Sequence, residues 1–256
     1  MLAGAPTAYW AIVAGMIGLA LGSFSTVVAS RWPAGGSLVS PRSHCTACER
    51  TLSPLEMVPV LSWIALRGRC RGCGTGVSWR YPAIELASGV LAAGAIVGFG
   101  ATWQGLSAAI LGVALVPVVV IDIQHRLIPD IIVLPAAVLA LGAAVAADPR
   151  QWWVSLAAAL GAAGFLLVLW LIYPGGMGLG DVKLALLLGA VLGASVIPAL
   201  LIAFAGGAAL GIVLLARFGA RARKMAVPFG PFLAAGSLAG LWFGPSMIGW
   251  YAERLG

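Results

Sequence analysis

Eight long apolar stretches follow one another along the 256-residue chain, at about 8–29, 83–99, 104–121, 131–147, 152–173, 182–196, 199–216 and 228–248. Within each, the apolar positions run on without alternating with polar ones, and the longest reach the ~20 residues a helix needs to cross hydrocarbon. In lipid every backbone polar group needs an internal partner, so spans are helices or closed barrels, and unbroken apolar runs select helices. The pattern predicts an all-α polytopic membrane protein with about eight transmembrane helices. The sixth and seventh runs are parted only around Pro198.

One extramembrane segment is long, residues 31–81. It holds Pro33, Gly35, Gly36, Pro41, Pro54, Pro59 and all four cysteines, with little periodicity, and reads as a small loop module without a large core. The expected organisation is a first span in 1–30, a four-cysteine module in 31–81 and a seven-span membrane domain in 82–256.

Composition supports the membrane reading. The chain is 61% hydrophobic and 9% charged, with a mean hydropathy of +1.04, whereas a soluble domain carries about 25% charged residues. Abundant Ala and Gly suit close helix packing. The net charge of +7 raises nucleic acid as a partner, but the basic residues flank apolar spans instead of interleaving with aromatics. Seven arginines lie from Arg31 to Arg80, and Arg217, Arg221, Arg223 and Lys224 form a second group. These read as topology signals and contacts to membrane lipid. With the amino terminus outside, eight spans put thirteen of the fifteen basic residues inside, leaving Arg150 and Arg254 outside. Seven spans would put the second group outside. The first ten residues hold no Lys or Arg, so the opening run is expected to be a retained span and not a cleaved signal.

Cys45-Thr46-Ala47-Cys48 and Cys70-Arg71-Gly72-Cys73 are two C-x-x-C pairs. Each short turn presents two sulfurs, and four thiolates make a tetrahedral site, so Cys45, Cys48, Cys70 and Cys73 are the expected ligands of a structural Zn²⁺. A full set of protein ligands leaves no open position, which makes the metal a scaffold and not a catalyst. Gly72 and Gly74 give the second turn backbone freedom. Disulfides are the alternative, disfavoured by the cytoplasmic placement. His44 is a possible substitute ligand and reads better as a loop residue.

Asp122 closes the third span and Asp181 opens the sixth. The runs 131–147 and 152–173 between them cross and return, which brings both carboxylates to one face. Intramembrane acids are costly and point to function. Two carboxyls sharing a proton split their ionisation, one becoming a base toward water and the other an acid toward a peptide carbonyl. Gly178 and Gly180, in Gly178-Leu179-Gly180-Asp181, would let a substrate backbone approach. Lys183 reads as a headgroup contact able to bias the charge of Asp181. A bland reading also exists for each acid: Asp130, after Pro129, is expected to be an N-cap, and Asp181 could favour a helix start. His125 and Arg126 read as solvent-facing.

Several segments resemble the type IV prepilin peptidase family, also called prepilin leader peptidase/N-methyltransferase. Gly22-Ser23-Phe24-Ser25-Thr26-Val27-Val28 with Arg31 and Pro33 is similar to its opening motif, with Thr26 where Asn is usual and Ser30 where Tyr is common. The cysteine pairs, Pro59–Trp63, Gly68–Cys73 and Arg80-Tyr81-Pro82 with Glu85 follow in order. Ile121-Asp122 with Leu127–Asp130, and Gly178–Lys183, resemble the two catalytic segments. The resemblance implies a GxGD-type membrane aspartyl protease with Asp122 and Asp181 as catalytic aspartates. It implies cleavage of the basic leader of prepilin or pseudopilin precursors at the cytoplasmic face of a bacterial inner membrane, for pili, type II secretion or competence. It also implies N-methylation of the new amino terminus from S-adenosylmethionine. Glu49, Glu56 and Glu85 are the inside acids available to a basic leader. The rivals are a non-enzymatic, zinc-containing membrane assembly factor and a proton-coupled transporter, which would carry its acids nearer mid-membrane.

Overall fold

A computed structural model describes residues 5–255, apart from the side chains of 222–224 and 255. Two basic residues of the topology count, Arg223 and Lys224, therefore have side chains outside the described residues. Nine α-helices are present among the described residues: α1 (Thr7–Arg31), α2 (Leu61–Ala65), α3 (Arg80–Phe99), α4 (Trp103–His125), α5 (Asp130–Ala147), α6 (Trp152–Ile172), α7 (Leu179–Leu192), α8 (Val196–Phe218) and α9 (Gly230–Leu255). No β-strand occurs among the described residues, and the fold is all-α as the pattern predicts. Seven stretches are long and apolar enough to cross a membrane, again among the described residues.

The sixth of these runs from Leu179 to Arg221, 43 residues. At 1.5 Å per residue that is about 64 Å, twice the hydrocarbon thickness. It is divided, and the division accounts for the eighth expected helix. The break falls at Gly193, whose φ of 54° and ψ of −131° stop α7. Pro198 does not separate the two helices. It lies in the first turn of α8, where its missing N–H would have had no intrahelical partner anyway.

The chain forms two compact units, residues 1–117 and 118–256, with the boundary at Pro117 inside α4. In the first, α1 and α3 lie in backbone contact. A Cβ on Gly18 would sit 2.6 Å from the Ser88 carbonyl, and one on Gly22 2.8 Å from Glu85 Cα. Small residues are what allow such an approach in a membrane, where apolar side chains gain little over lipid.

In the second unit α7 is the interior helix. Leu184, Ala185, Leu187 and Leu188 are fully buried, and α5, α6 and α9 all pack against it. A helix surrounded in this way has its register fixed on all sides. Its first turn carries Asp181.

Candidate active site and cysteine cluster

Asp122 sits one turn before the end of α4. After His125 the chain reverses at Arg126, which takes a φ of 56°, passes through Leu127–Pro129 and enters α5 at Asp130. Asp122 itself is buried, with 5% of its surface exposed. Its Oδ2 accepts a hydrogen bond from the Gly230 amide at 2.8 Å, at the first residue of α9. A Cβ on Gly230 would lie 2.7 Å from that same oxygen, so only glycine lets the backbone come this close.

Asp181 is the third residue of α7 and is equally buried, at 6%. Its Oδ2 accepts the amide of Gly178, the residue that caps the helix, at 2.9 Å. Each carboxylate is thus bound by a backbone N–H at a helix N-terminus, where the peptide dipoles favour negative charge. Two further contacts tie the turn after Asp122 to the helix bearing Asp181. Ile128 is buried against Gly180, where a Cβ would come within 2.8 Å of the Ile128 Cβ. Lys183 Nζ lies 2.6 Å from Asp130 Oδ2. Asp122 and Asp181 consequently lie within electrostatic range of one another. The exposed Arg126 adds its charge near Asp122.

The structure brings every residue of the expected constellation into one neighbourhood, with two corrections of detail. Asp130 does not cap α5: Pro129 holds the cap position, no side-chain cap bond forms, and the Asp130 carboxylate faces Lys183. Lys183 is accordingly an ion-pair partner, not a free headgroup contact. His125 and Arg126 are exposed, as expected.

Gly230 is the site residue that the apolar pattern hides. The one available signal is Pro228-Phe229-Gly230-Pro231, two prolines flanking a glycine at a helix start. Phe229 helps fix that loop, its ring 5.3 Å from that of Phe204 on α8.

In the first unit, two knuckles carry the cysteines, each closed by an isolated bridge, His44 with Thr51 and Arg69 with Gly76. All four sulfurs lie within 4.8 Å of one another, with Cys45–Cys73 at 3.8 Å and Cys48–Cys70 at 4.0 Å. A tetrahedron with ~2.3 Å metal–sulfur bonds has edges of about 3.8 Å, so the cluster is close to the size at which it could hold a metal ion. The cysteines are free thiols and not disulfides. Amides of Cys73 and Gly72 directed at the Cys70 sulfur lower its thiol pKa to about 6, which favours the thiolate a metal needs. Of the two glycines of that turn, Gly74 takes a left-handed conformation, φ 73°, and Gly72 does not. His44 is turned away, its Nδ1 3.0 Å from the Arg42 carbonyl.

Of the acids expected to face the inside, Glu56 is bound by Arg50 and by Ser53, and Glu85 is buried and accepts the Val60 amide at 2.7 Å. Both carboxylates are engaged within the protein and are not held out toward a basic leader.

Comparison with known sequences defines the class of this many-helix membrane protein with its two buried aspartates. Residues 16–99 match the Bacterial Peptidase A24 N-terminal domain and residues 109–215 the Type IV leader peptidase family. Proteins named prepilin leader peptidase/N-methyltransferase are similar along most of their length. The one from Burkholderia pseudomallei is 42% identical over 274 residues, covering 93% of this chain and 87% of its own. That from Bacillus subtilis is 36% identical over 243 residues, covering 93% and 96%. That from Stutzerimonas stutzeri is 37% identical over 275 residues, covering 94% and 93%. No solved structure matches significantly. The chain belongs to the type IV leader peptidase family and is a multi-pass membrane protease.

Proposed function

We propose that Asp122 and Asp181 are the catalytic pair of an aspartyl endopeptidase that removes the leader from prepilin-like precursors. The carrying observation is the placement of two buried carboxylates at adjoining helix ends, each with Oδ2 bound by one backbone amide. That bond orients each group and leaves Oδ1 for proton transfer. Two acids within electrostatic range of each other do not ionise together easily, and in this reading they close to share one proton. The ionised member takes a proton from water as the water oxygen attacks the scissile carbonyl carbon. The protonated member donates to the carbonyl oxygen. Collapse of the tetrahedral intermediate breaks the C–N bond, and the leaving nitrogen takes a proton from the pair. Lys183, Gly178 and Gly180 support the loop.

The substrate class follows from the relatives' names, and the side of the membrane from the basic residues flanking the spans. Their distribution favours an amino terminus outside and a site at the inner, cytoplasmic face of the membrane. In this reading residues 31–81 are a scaffold module holding Zn²⁺ through Cys45, Cys48, Cys70 and Cys73, and 82–256 the peptidase domain. The ion would rigidify a segment with little core of its own. The relatives' names extend the proposal to methylation of the new amino terminus from S-adenosylmethionine, a step to which no residue of this chain is assigned.

Co-expression with a prepilin tests the proposal. Intact enzyme converts precursor to a faster-migrating product, and Asp122→Asn or Asp181→Asn, each inserted normally, leaves it unshifted. Retained cleavage in either variant refutes the aspartyl mechanism. A non-enzymatic assembly factor predicts that both variants still support assembly. Mass spectrometry of the mature product's first residue decides methylation.

A further inference from the structure

Helix α2, at five residues, is far too short to span a membrane, and its surroundings give it a different place. Its two sides differ. Trp63 donates through Nε1 to the Val77 carbonyl at 3.0 Å and packs against Gly68, which joins α2 to the second cysteine knuckle. Leu61, Ile64 and Ala65 lie on the other side at the i, i+3, i+4 spacing of one helical face, and all three are exposed, Leu61 at 66% and Ile64 at 60%. Within a module otherwise rich in polar and basic residues, that is an apolar stripe with no protein cover among the described residues.

The depth of this stripe is set by Glu85. The Val60 amide, immediately before α2, donates to Glu85 Oε2 at 2.7 Å, and Glu85 is the sixth residue of α3. That places the Glu85 Cα about 7 Å past the start of α3, by the helical rise, with its carboxylate reaching back toward that end. A second ruler agrees: Gly22 of α1 abuts Glu85, and α1 continues nine residues beyond Gly22 to Arg31, about 13 Å farther. At 20 residues, α3 matches the ~30 Å of hydrocarbon with almost no excess. The start of α2 is therefore held against the first turns of α3, beside the end of that span. Val60 is held there at a φ of 61°, a conformation costly for a β-branched residue, which persists only where contacts impose it.

We infer that α2 lies in the plane of the membrane interface, with Leu61, Ile64 and Ala65 set into the boundary between headgroups and acyl chains of the chain's own bilayer. The exposed Arg67, Arg69 and Arg80 flank the stripe and suit anionic headgroups, and the exposed Trp79 adds an interfacial aromatic. The four-cysteine module is then held against the membrane by a glutamate latch and an apolar foot, not displayed freely above it.

The test uses full-length protein in nanodiscs of phosphatidylethanolamine and phosphatidylglycerol. A nitroxide is attached through a ketone-bearing unnatural residue, which spares the cysteines, at position 61, 64 or 46. Collisions with oxygen, concentrated in lipid, are compared with those of a water-soluble nickel chelate. The expected result is an oxygen-to-nickel ratio several-fold higher at 61 and 64 than at the exposed Thr46. Glu85→Ala is expected to lower the ratio at 61 toward that at 46. Should that variant fail to fold, the probes beside intact Glu85 still decide. Equal ratios at all three positions overturn the inference. Protection that appears only on adding a prepilin overturns it too, since the stripe would then be a protein-docking face.

Discussion

The amide of Gly230 and the carboxylate of Asp122, 108 residues apart, meet at 2.8 Å. The start of α9 thereby becomes part of the setting of a residue at the end of α4. Asp181 receives the same treatment from its own helix cap. A carboxylate that must stay in one orientation beside lipid needs such a bond, because an unsatisfied buried polar group carries a large desolvation cost.

Gly230→Ala therefore places a methyl group against Asp122 Oδ2 and pushes the carboxylate from its position. We expect kcat/KM for prepilin cleavage to fall roughly 100-fold, the effect of a misplacement near 1 Å. Thermal unfolding should change little. A variant cleaving at the normal rate would remove Gly230 from the site.

Lys183 and Asp130 are partly exposed, at 39% and 47% of their side chains. Neutralising either should cost no more than about 1 kcal/mol of stability. Since the pair ties the Asp122 turn to α7, Lys183→Met should reduce cleavage more than stability. The reversed pair, Asp130→Lys with Lys183→Asp, should recover part of that loss. A double-mutant cycle on cleavage rates with no coupling would show that the pair does not position the site.

Glu56 has its pKa lowered from the usual carboxylate range to about 2, first by hydrogen bonds from Arg50 and then by those of Ser53. A depressed folded-state value means that the contribution is complete above the ordinary value of 4.5 and is lost as pH falls toward 2. In protein carrying carbon-13 glutamate, one carboxyl resonance should keep its ionised shift below pH 4. Arg50→Met should return that resonance to ordinary titration.

Purified protein should contain close to one equivalent of zinc. Chelation should increase hydrogen exchange across residues 43–77 while the membrane helices stay protected, since no span supplies a ligand. Replacing any one of the four cysteines by serine should have the same local effect. Full metal content in a Cys70→Ser variant would count against a four-sulfur site.

Much of this molecule is legible in its one-dimensional pattern, because lipid imposes a simple rule. A backbone in hydrocarbon must bond to itself, so continuous apolar runs become helices, and the few acids at their ends stand out. Asp122, Asp181 and the paired cysteines are visible for that reason: each is chemically conspicuous and locally spaced. The order of the spans even indicates that the two aspartates share a face.

What only the tertiary structure decided is what touches them. Gly230 is one glycine among 35, and its role depends on a long-range approach that no periodicity encodes. Asp130 looks like a cap until α7 brings Lys183 beside it. Gly193 and not Pro198 divides the long apolar run, since a proline in a first turn costs nothing while a backbone with positive φ ends the helix. Glu85 looks available until Val60 is found bound to it. Local chemistry settles which residues can act, whereas packing between distant helices settles which of them meet.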